Sequence, residues 1–121
     1  MEFNNNVPIY YQVVEEIKRK LLCGELRPGE KLLSARDMAF FYKINPNTAA
    51  RVYKELEQQE FCFTKRGMGT YLTESQEKIE ELRKEKAEAF AGQCVRGILE
   101  LGFSKEELQK MILDQVEQLN R

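Results

Sequence analysis

The chain has 121 residues, of which 42% are hydrophobic, so it can bury one modest core and carry an appended helical element, but a large multidomain enzyme is excluded. The formal net charge is −1, yet residues 1–72 hold 11 Lys and Arg against 9 Asp and Glu, whereas residues 73–121 hold 8 against 11. A weakly basic first part and an acidic second part fit a DNA-binding domain joined to a solvated dimerisation element, because a few well-placed cations can suffice for DNA binding.

The first predicted helix begins at Pro8, a residue favoured in a first helical turn, and ends before Gly24. Residues 31–33 are long enough only for a short strand or an extended link, and Ser34 is a preferred cap for a second helix over Ala35–Tyr42. Apolar side chains at three- and four-residue steps predict the core faces of these helices. They are Tyr10, Val13, Val14, Ile17, Leu21 and Leu22 in the first helix, and Met38, Ala39 and Tyr42 in the second.

The third predicted helix covers residues 45–59 and has the clearest start in the sequence. Asn45 is a preferred cap, and Pro46 follows where its missing N–H costs nothing. Lys43 and Ile44 form a turn of about the length expected in a helix-turn-helix, with Ile44 predicted to be buried between the two helices. The predicted core face of the third helix is Ala49, Val52, Tyr53 and Leu56.

A hairpin is predicted directly after the third helix. Residues 61–64 and 70–72 are aromatic and branched runs, and the intervening residues 65–69 include two glycines that permit positive φ at a tip. Three helices followed by a small β-hairpin form a winged helix. We therefore predict a mainly α protein with an N-terminal winged helix-turn-helix domain at residues 1–73.

Residues 74–121 are predicted to form a two-helix dimerisation element. Gly102 stops the first of these helices, and Ser104 with Glu107 forms a capping box that starts the second. The helices have no sheet of their own to cover their apolar stripes, so a second copy of the chain is the simplest candidate for that role. The predicted dimer contacts are Ile79, Leu82, Phe90, Cys94, Ile98, Leu101, Leu108, Met111, Ile112 and Val116.

The outer face of the third helix carries the side chains best placed to enter a major groove. Asn47 could pair with adenine, Thr48 could contact a phosphate or a thymine methyl group, and Arg51 could donate to guanine or to the backbone. The alternative interpretation is an ordinary solvated helix. The position of this helix, between a short turn and a basic hairpin, favours the DNA-reading interpretation.

Further cations and the hairpin tip extend this prediction. Arg36 lies in the first turn of the second helix, where amide donors can also bind phosphate. Lys65 and Arg66 can neutralise phosphates, and the narrow tip of the hairpin can approach the minor groove. The complete set of predicted contacts with double-stranded DNA is Arg36, Asn45, Asn47, Thr48, Arg51, Lys54, Lys65, Arg66, Gly67 and Met68.

Two other functions are alternatives to DNA reading. An enzyme is disfavoured and no catalytic residue is predicted, because the chain has no histidine, no phosphate-binding glycine loop and no nucleophile with a plausible base. The other alternative is a winged helix that binds another protein instead of DNA, and the sequence does not exclude it. A small-molecule effector, if there is one, would lodge between the tail helices and the winged domain, and its identity is unknown.

The cysteines and the N-terminal residues predict the cellular setting. Cys23, Cys62 and Cys94 lack zinc-site and disulfide-framework spacing, so we expect reduced thiols buried as small hydrophobic side chains rather than redox sensors. The first residues have neither the basic leader nor the apolar run of a signal peptide, and no later segment approaches membrane-spanning length. We expect a cytoplasmic protein with no membrane association, no metal and no cofactor.

Five segments of residues 8–72 resemble, in their order and spacing, the GntR family of winged-helix regulators. The segments are Pro8-Ile9-Tyr10, residues 24–32, Ser34 with Arg36, Asn45-Pro46-Asn47-Thr48, and Arg66-Gly67-Met68-Gly69-Thr70. The tail resembles the YtrA-type branch, whose members end in two short dimerisation helices and lack a large ligand-binding domain. The resemblance implies a homodimeric repressor bound to an imperfect palindrome, often near its own operon and ABC-transporter genes. It also implies DNA contacts at Arg36, Asn47, Thr48, Arg51 and Gly67.

The sequence departs from the family pattern at five positions, two of which are Ala35, where glutamate is usual, and Leu33, where proline is common. Ala50 stands where a second arginine is frequent, and Met68 where a polar or basic wing residue is usual. Each lost phosphate contact should flatten the salt dependence of binding by a log–log slope of about 0.9. Glu60 replaces a frequent glycine at the end of the third helix, which would cost roughly 1 kcal/mol if the backbone there is left-handed.

Overall fold

The computed structural model describes residues 1–120, which divide into two compact units, residues 1–80 and the described residues from 81 onward. Along the chain the elements are α1 (Ile9–Cys23), α2 (Ala35–Tyr42), α3 (Pro46–Gln58), β1 (Cys62–Lys65), β2 (Gly69–Leu72), α4 (Gln76–Glu100) and α5 (Lys105–Gln118). This order confirms the predicted mainly α class, with three helices and a hairpin followed by two helices. The predicted domain boundary after residue 73 precedes α4, and α4 continues across the division between the units.

Local side-chain chemistry determines where the helices begin and end. Gly24 ends α1 in the left-handed conformation, with φ +87°. At the start of α2, the Ser34 hydroxyl accepts the N–H of Asp37 at 3.0 Å. At the start of α5, Ser104 and Glu107 each accept the backbone N–H of the other, so the predicted capping box is confirmed.

The core of the first unit is formed by one apolar face from each of α1, α2 and α3. The buried side chains of these helices are Val13, Val14, Ile17, Leu21, Met38, Ala39, Tyr42, Ala49, Val52, Tyr53 and Leu56. The predicted core faces of α2 and α3 are therefore confirmed in full. In α1, Tyr10 and Leu22 are half-buried, whereas the other four residues of its predicted apolar face are buried.

The hairpin extends from the end of this core and is held by a third segment of chain. β1 and β2 are antiparallel, with Phe63 opposite Tyr71 and Lys65 opposite Gly69. Lys31 forms an isolated bridge to Tyr71, and the N–H of Leu32 donates to the carbonyl oxygen of Thr70 at 2.8 Å. The link before α2 is thus extended, as expected, and it anchors the base of the hairpin.

The cysteines do not all take the buried positions predicted for them. Cys62 is buried at the start of β1, where burial and the nearby Glu57 carboxylate raise the pKa of its thiol to about 12. Cys23 and Cys94 are exposed, so the prediction is wrong for these two. Cys23 is the last residue of α1, where the helix reaches the surface, and Cys94 lies on the exposed part of α4.

The second unit differs from the two short helices that the resemblance implies. α4 has 25 residues and a length of about 37 Å, because its first stop signal is Gly102, with φ +94°. Of the ten predicted dimer contacts, three are buried within the single chain: Ile79, Leu82 and Leu108. The half-buried or exposed members are Phe90, Cys94, Ile98, Leu101, Met111, Ile112 and Val116. Their role in dimerisation stays a prediction.

Candidate nucleic-acid interface

A tight turn joins α2 to α3 and fixes where the second helix of the pair begins. Lys43 adopts a left-handed conformation, with φ +56°, and its N–H donates to the carbonyl oxygens of Ala39 and Phe40. The N–H of Ile44 also donates to Ala39, at 2.9 Å. Ile44 is half-buried rather than buried, so that prediction is wrong: the turn lies at the edge of the core. The connection is that of a helix-turn-helix.

The side chain of Asn45 caps the start of α3. Its side-chain oxygen accepts the N–H of Asn47 at 2.8 Å, and Pro46 takes the first helical position. The cap leaves only the side-chain NH₂ group of Asn45 for a DNA acceptor. Among the predicted DNA contacts, Asn45 therefore has a structural task that the sequence pattern had already indicated.

The two faces of α3 differ sharply in their burial. Ala49, Val52 and Leu56 have no exposed surface, whereas Asn47 and Lys54 are exposed on the other side of the helix. Thr48, which lies between the two faces, is half-buried. This arrangement holds α3 firmly by one face and leaves the predicted reading face open.

A hydroxyl group also ties α3 to the link that precedes α2. Tyr53, on the inner side of α3, donates its hydroxyl hydrogen to the carbonyl oxygen of Leu33. Burial is the main cause that raises the pKa of Tyr53 above its ordinary value, so the group stays a neutral donor. The contact joins the core of α3 to the segment that anchors the hairpin.

Arg51 does not extend freely from α3. Its guanidinium carbon lies 3.8 Å from the centre of the Tyr10 ring, in the first turn of α1. The sequence pattern indicates Tyr10 only as part of the apolar face of α1. No local signal could have revealed the contact, because the two residues are 41 positions apart and meet only when α1 packs on α3.

The hairpin presents its basic residues at two different places. The Lys65 ammonium group lies 4.6 Å from the centre of the Tyr71 ring and 5.7 Å from that of Phe63, and the two rings stack with centres 6.0 Å apart. Arg66 is exposed at the tip, together with Met68. Lys65 is thus held against an aromatic pair, whereas the tip of the hairpin is free.

Glycine is required at the tip of the hairpin. Gly67 has φ +77°, and a Cβ atom there would meet no atom within 4 Å, so its backbone rather than local space demands glycine. Gly69 has φ +122°, and a Cβ atom would lie 2.8 Å from the side chain of Lys31. The resulting turn is narrow, as predicted.

A hydrogen bond between two side chains joins the hairpin to α3. The Thr64 hydroxyl group donates to the carboxylate of Glu57, and the hydroxyl oxygens of Thr64 and Thr70 are 3.5 Å apart across the strands. Sequence reasoning assigned none of these side chains a role. Together they fix the hairpin relative to the last turns of α3.

Among the described residues, the cations of the predicted interface have no carboxylate partner. Within residues 1–120, none of their charged groups lies within 4.0 Å of a carboxylate. These residues are Arg36, Arg51, Lys54, Lys65 and Arg66. In α1, by contrast, Arg19 donates to Glu16 at 2.7 Å, and this contact lowers the pKa of the Glu16 carboxyl. The predicted interface therefore keeps its positive charge available for phosphate.

Comparison with known families matches residues 9–72 to the family described as bacterial regulatory proteins, gntR family. The chain is 39% identical over 107 residues to the HTH-type transcriptional regulator YhcF of Bacillus subtilis, and the match covers 88% of each protein. It is 35% identical over 107 residues to the HTH-type transcriptional repressor YtrA of the same organism, a match that covers 88% of this chain and 81% of YtrA.

A solved structure extends the similarity to nearly the whole chain. A GntR family transcriptional regulator from Listeria monocytogenes superposes with a TM-score of 0.83 at 36% sequence identity. The superposition covers 93% of this chain and 98% of the Listeria protein. Within residues 1–120, no helix is both long enough and apolar enough to span a membrane.

Proposed function

The chain belongs to the gntR family of bacterial regulatory proteins, and from this membership and the open face of α3 we propose that it is a homodimeric repressor of a palindromic operator. Like the other members of its family, it is a transcriptional regulator with a DNA-binding winged helix. It is not an enzyme. The repressor role is supported by the similarity to YtrA, whose name describes a transcriptional repressor. It would act in the cytoplasm, where its DNA target lies.

The outer face of α3 is the observation on which the proposal depends most. Asn47 and Arg51 are exposed there, and the opposite face of the helix is fully buried. In a major groove, Asn47 would pair with adenine and Arg51 would donate to guanine, while Thr48 would contact a phosphate or a thymine methyl group. These contacts would specify the operator.

The surrounding cations would position α3 rather than read bases. Arg36 at the start of α2 and Lys54 on α3 would bind phosphates, as would Lys65 and Arg66 on the hairpin. The narrow tip at Gly67 would approach the minor groove. Such contacts supply affinity that falls with salt and carries little sequence information.

The exposed apolar side chains of the second unit support a dimer. Phe90, Leu101 and Val116 are exposed in the single chain, and a second copy that covers them would form a closed assembly. Two recognition helices would then face half-sites about 34 Å apart, or a multiple of that distance. We further propose that the operator lies near the protein's own genes, and that ABC-transporter genes are among the targets.

A gel shift with DNA from upstream of the protein's own gene tests the proposal. Arg51→Ala should weaken operator binding by about 1 to 3 kcal/mol, because it removes a base-reading side chain. Arg27→Ala is the matched control, since Arg27 is an exposed arginine of the same unit outside the predicted interface. Weak, salt-sensitive binding without operator preference would contradict the proposal and favour a winged helix that binds a protein.

A further inference from the structure

Tyr10 and Arg51 form a contact between α1 and the reading helix α3. The guanidinium carbon of Arg51 lies 3.8 Å from the centre of the Tyr10 ring, well inside the range of a cation–π interaction. An N–H group pointed into the ring would hold that carbon farther away. The short distance therefore indicates that the guanidinium plane lies flat against the face of the ring.

This geometry leaves the edge of the guanidinium group available. Arginine has five N–H donors, and all of them lie in the plane of the group. Within residues 1–120, none of the Arg51 donors has a hydrogen-bond acceptor, and no carboxylate lies within 4.0 Å of it. A face that is held and an edge that is free is the arrangement needed for two parallel hydrogen bonds to the O6 and N7 atoms of guanine.

The core holds the part of α1 that carries Tyr10. Tyr10 is half-buried in the first turn of α1, and Val13 and Val14 in the next turn are buried in the core. Because this packing fixes the backbone of α1, the ring extends from a fixed point and supports the arginine from there. An arginine already ordered on such a support loses less side-chain freedom when it binds DNA.

We propose that Tyr10 is a positioning residue for DNA recognition: its ring orders the Arg51 side chain so that the guanidinium edge meets a base in the operator. The inference rests on the proposed function of α3. Tyr10 acts through Arg51 and need not touch DNA. Its hydroxyl group is dispensable in this role, whereas its aromatic ring is essential.

Two substitutions at Tyr10 in the full chain separate the ring from the hydroxyl group. The dissociation constant for an operator obtained by random-sequence selection is measured by fluorescence anisotropy. We expect Tyr10→Leu to weaken binding by about three- to tenfold, the loss expected when one long side chain must be ordered on binding. Tyr10→Phe should change it by less than about twofold, because the ring remains. An equal loss in both variants would overturn the inference, since the hydroxyl group would then be the active part.

The same substitution made in an Arg51→Ala protein tests whether Tyr10 acts through Arg51. In that background, Tyr10→Leu should change the dissociation constant by less than about twofold, because there is no guanidinium left to order. Single-base changes in the operator add a second readout. Tyr10→Leu should relax the preference at the same base pair as Arg51→Ala does, and at no other. Equal losses in both backgrounds would overturn the inference and show that Tyr10 only stabilises the fold.

Thermal unfolding of every variant accompanies these measurements. If Tyr10→Leu does not fold, Tyr10→Met takes its place, because methionine has a similar reach and no ring. Operator binding by the wild type together with full binding by the ring-free variant would overturn only the inference. A wild-type protein with no operator preference would overturn the proposed function, and the inference with it.

Discussion

The two units of the molecule differ in how completely they cover their apolar side chains. In the first unit, Val52 and Leu56 have no exposed surface, because other elements of that unit cover the apolar face of α3. In the second unit, Phe90 and Leu101 are 70% and 76% exposed. The first unit thus closes a core around α3, although Phe40 on α2 is 87% exposed, whereas the second unit leaves most of its large apolar side chains exposed in the single chain.

This difference fits the different tasks proposed for the two units. A closed core gives α3 a rigid base, which is what a reading helix needs. An open apolar surface destabilises a protein in water unless it is covered, and full burial of each large side chain contributes about 1.5 to 3 kcal/mol. A second copy of the chain would use that free energy to fix the spacing between two copies of α3.

The largest effect is expected from charges introduced on the open surface. Phe90→Asp combined with Leu101→Asp should raise the dimer dissociation constant at least about a hundredfold, because two large side chains lose their burial. Sedimentation over a range of concentrations measures this change. The control, Gln93→Asp with Gln109→Asp, adds the same charge at exposed polar positions and should leave the dimer intact. A wild-type protein that stays monomeric would contradict the claim that a second copy covers the apolar side chains of the second unit.

A smaller effect is expected from a cavity in the closed core. Leu56→Ala should lower the free energy of unfolding by about 2 to 5 kcal/mol, since the removed side chain has no exposed surface. Leu33→Ala removes the same atoms from a side chain that is 46% exposed, and should cost less than about 1 kcal/mol. Urea unfolding followed by circular dichroism measures both. Equal losses at the two positions would mean that the first unit is not closed as described.

The smallest effect concerns the backbone at the end of α3. Glu60 has φ +63°, a left-handed conformation at a position where the family frequently has glycine. Glu60→Gly should therefore raise the free energy of unfolding by about 0.5 to 1 kcal/mol. The ammonium group of Lys78, 4.0 Å from the Glu60 carboxylate, offsets little of this gain because the glutamate is exposed. Ala50→Gly, at an exposed position inside α3, should instead cost about 1 kcal/mol. A loss at both positions would contradict the left-handed conformation at Glu60.

The sequence predicted what local chemistry controls. The caps at Ser34 and Asn45 and the capping box at Ser104 placed the starts of three helices, because a side chain that accepts a nearby N–H group acts within one turn. Gly24 and Gly102 likewise placed two helix ends. The resemblance to a known family added the expected positions of the DNA contacts.

Contacts between distant segments could not be predicted in the same way. The Arg51 guanidinium meets the Tyr10 ring, and the Thr64 hydroxyl meets Glu57, only after the helices and the hairpin have packed. The exposure of Cys94 could not be predicted for a similar reason. An apolar stretch predicts burial, but it does not reveal whether the covering surface belongs to the same chain.

Random-sequence DNA selection with the purified protein tests the central claim most directly. The account predicts enrichment of an inverted repeat whose half-sites lie about 34 Å, or one helical turn, apart, or a multiple of that distance. It also predicts that Arg51→Ala loses the preference at one base pair in each half-site. Weak, salt-sensitive binding with no enriched sequence would contradict the claim that α3 reads an operator.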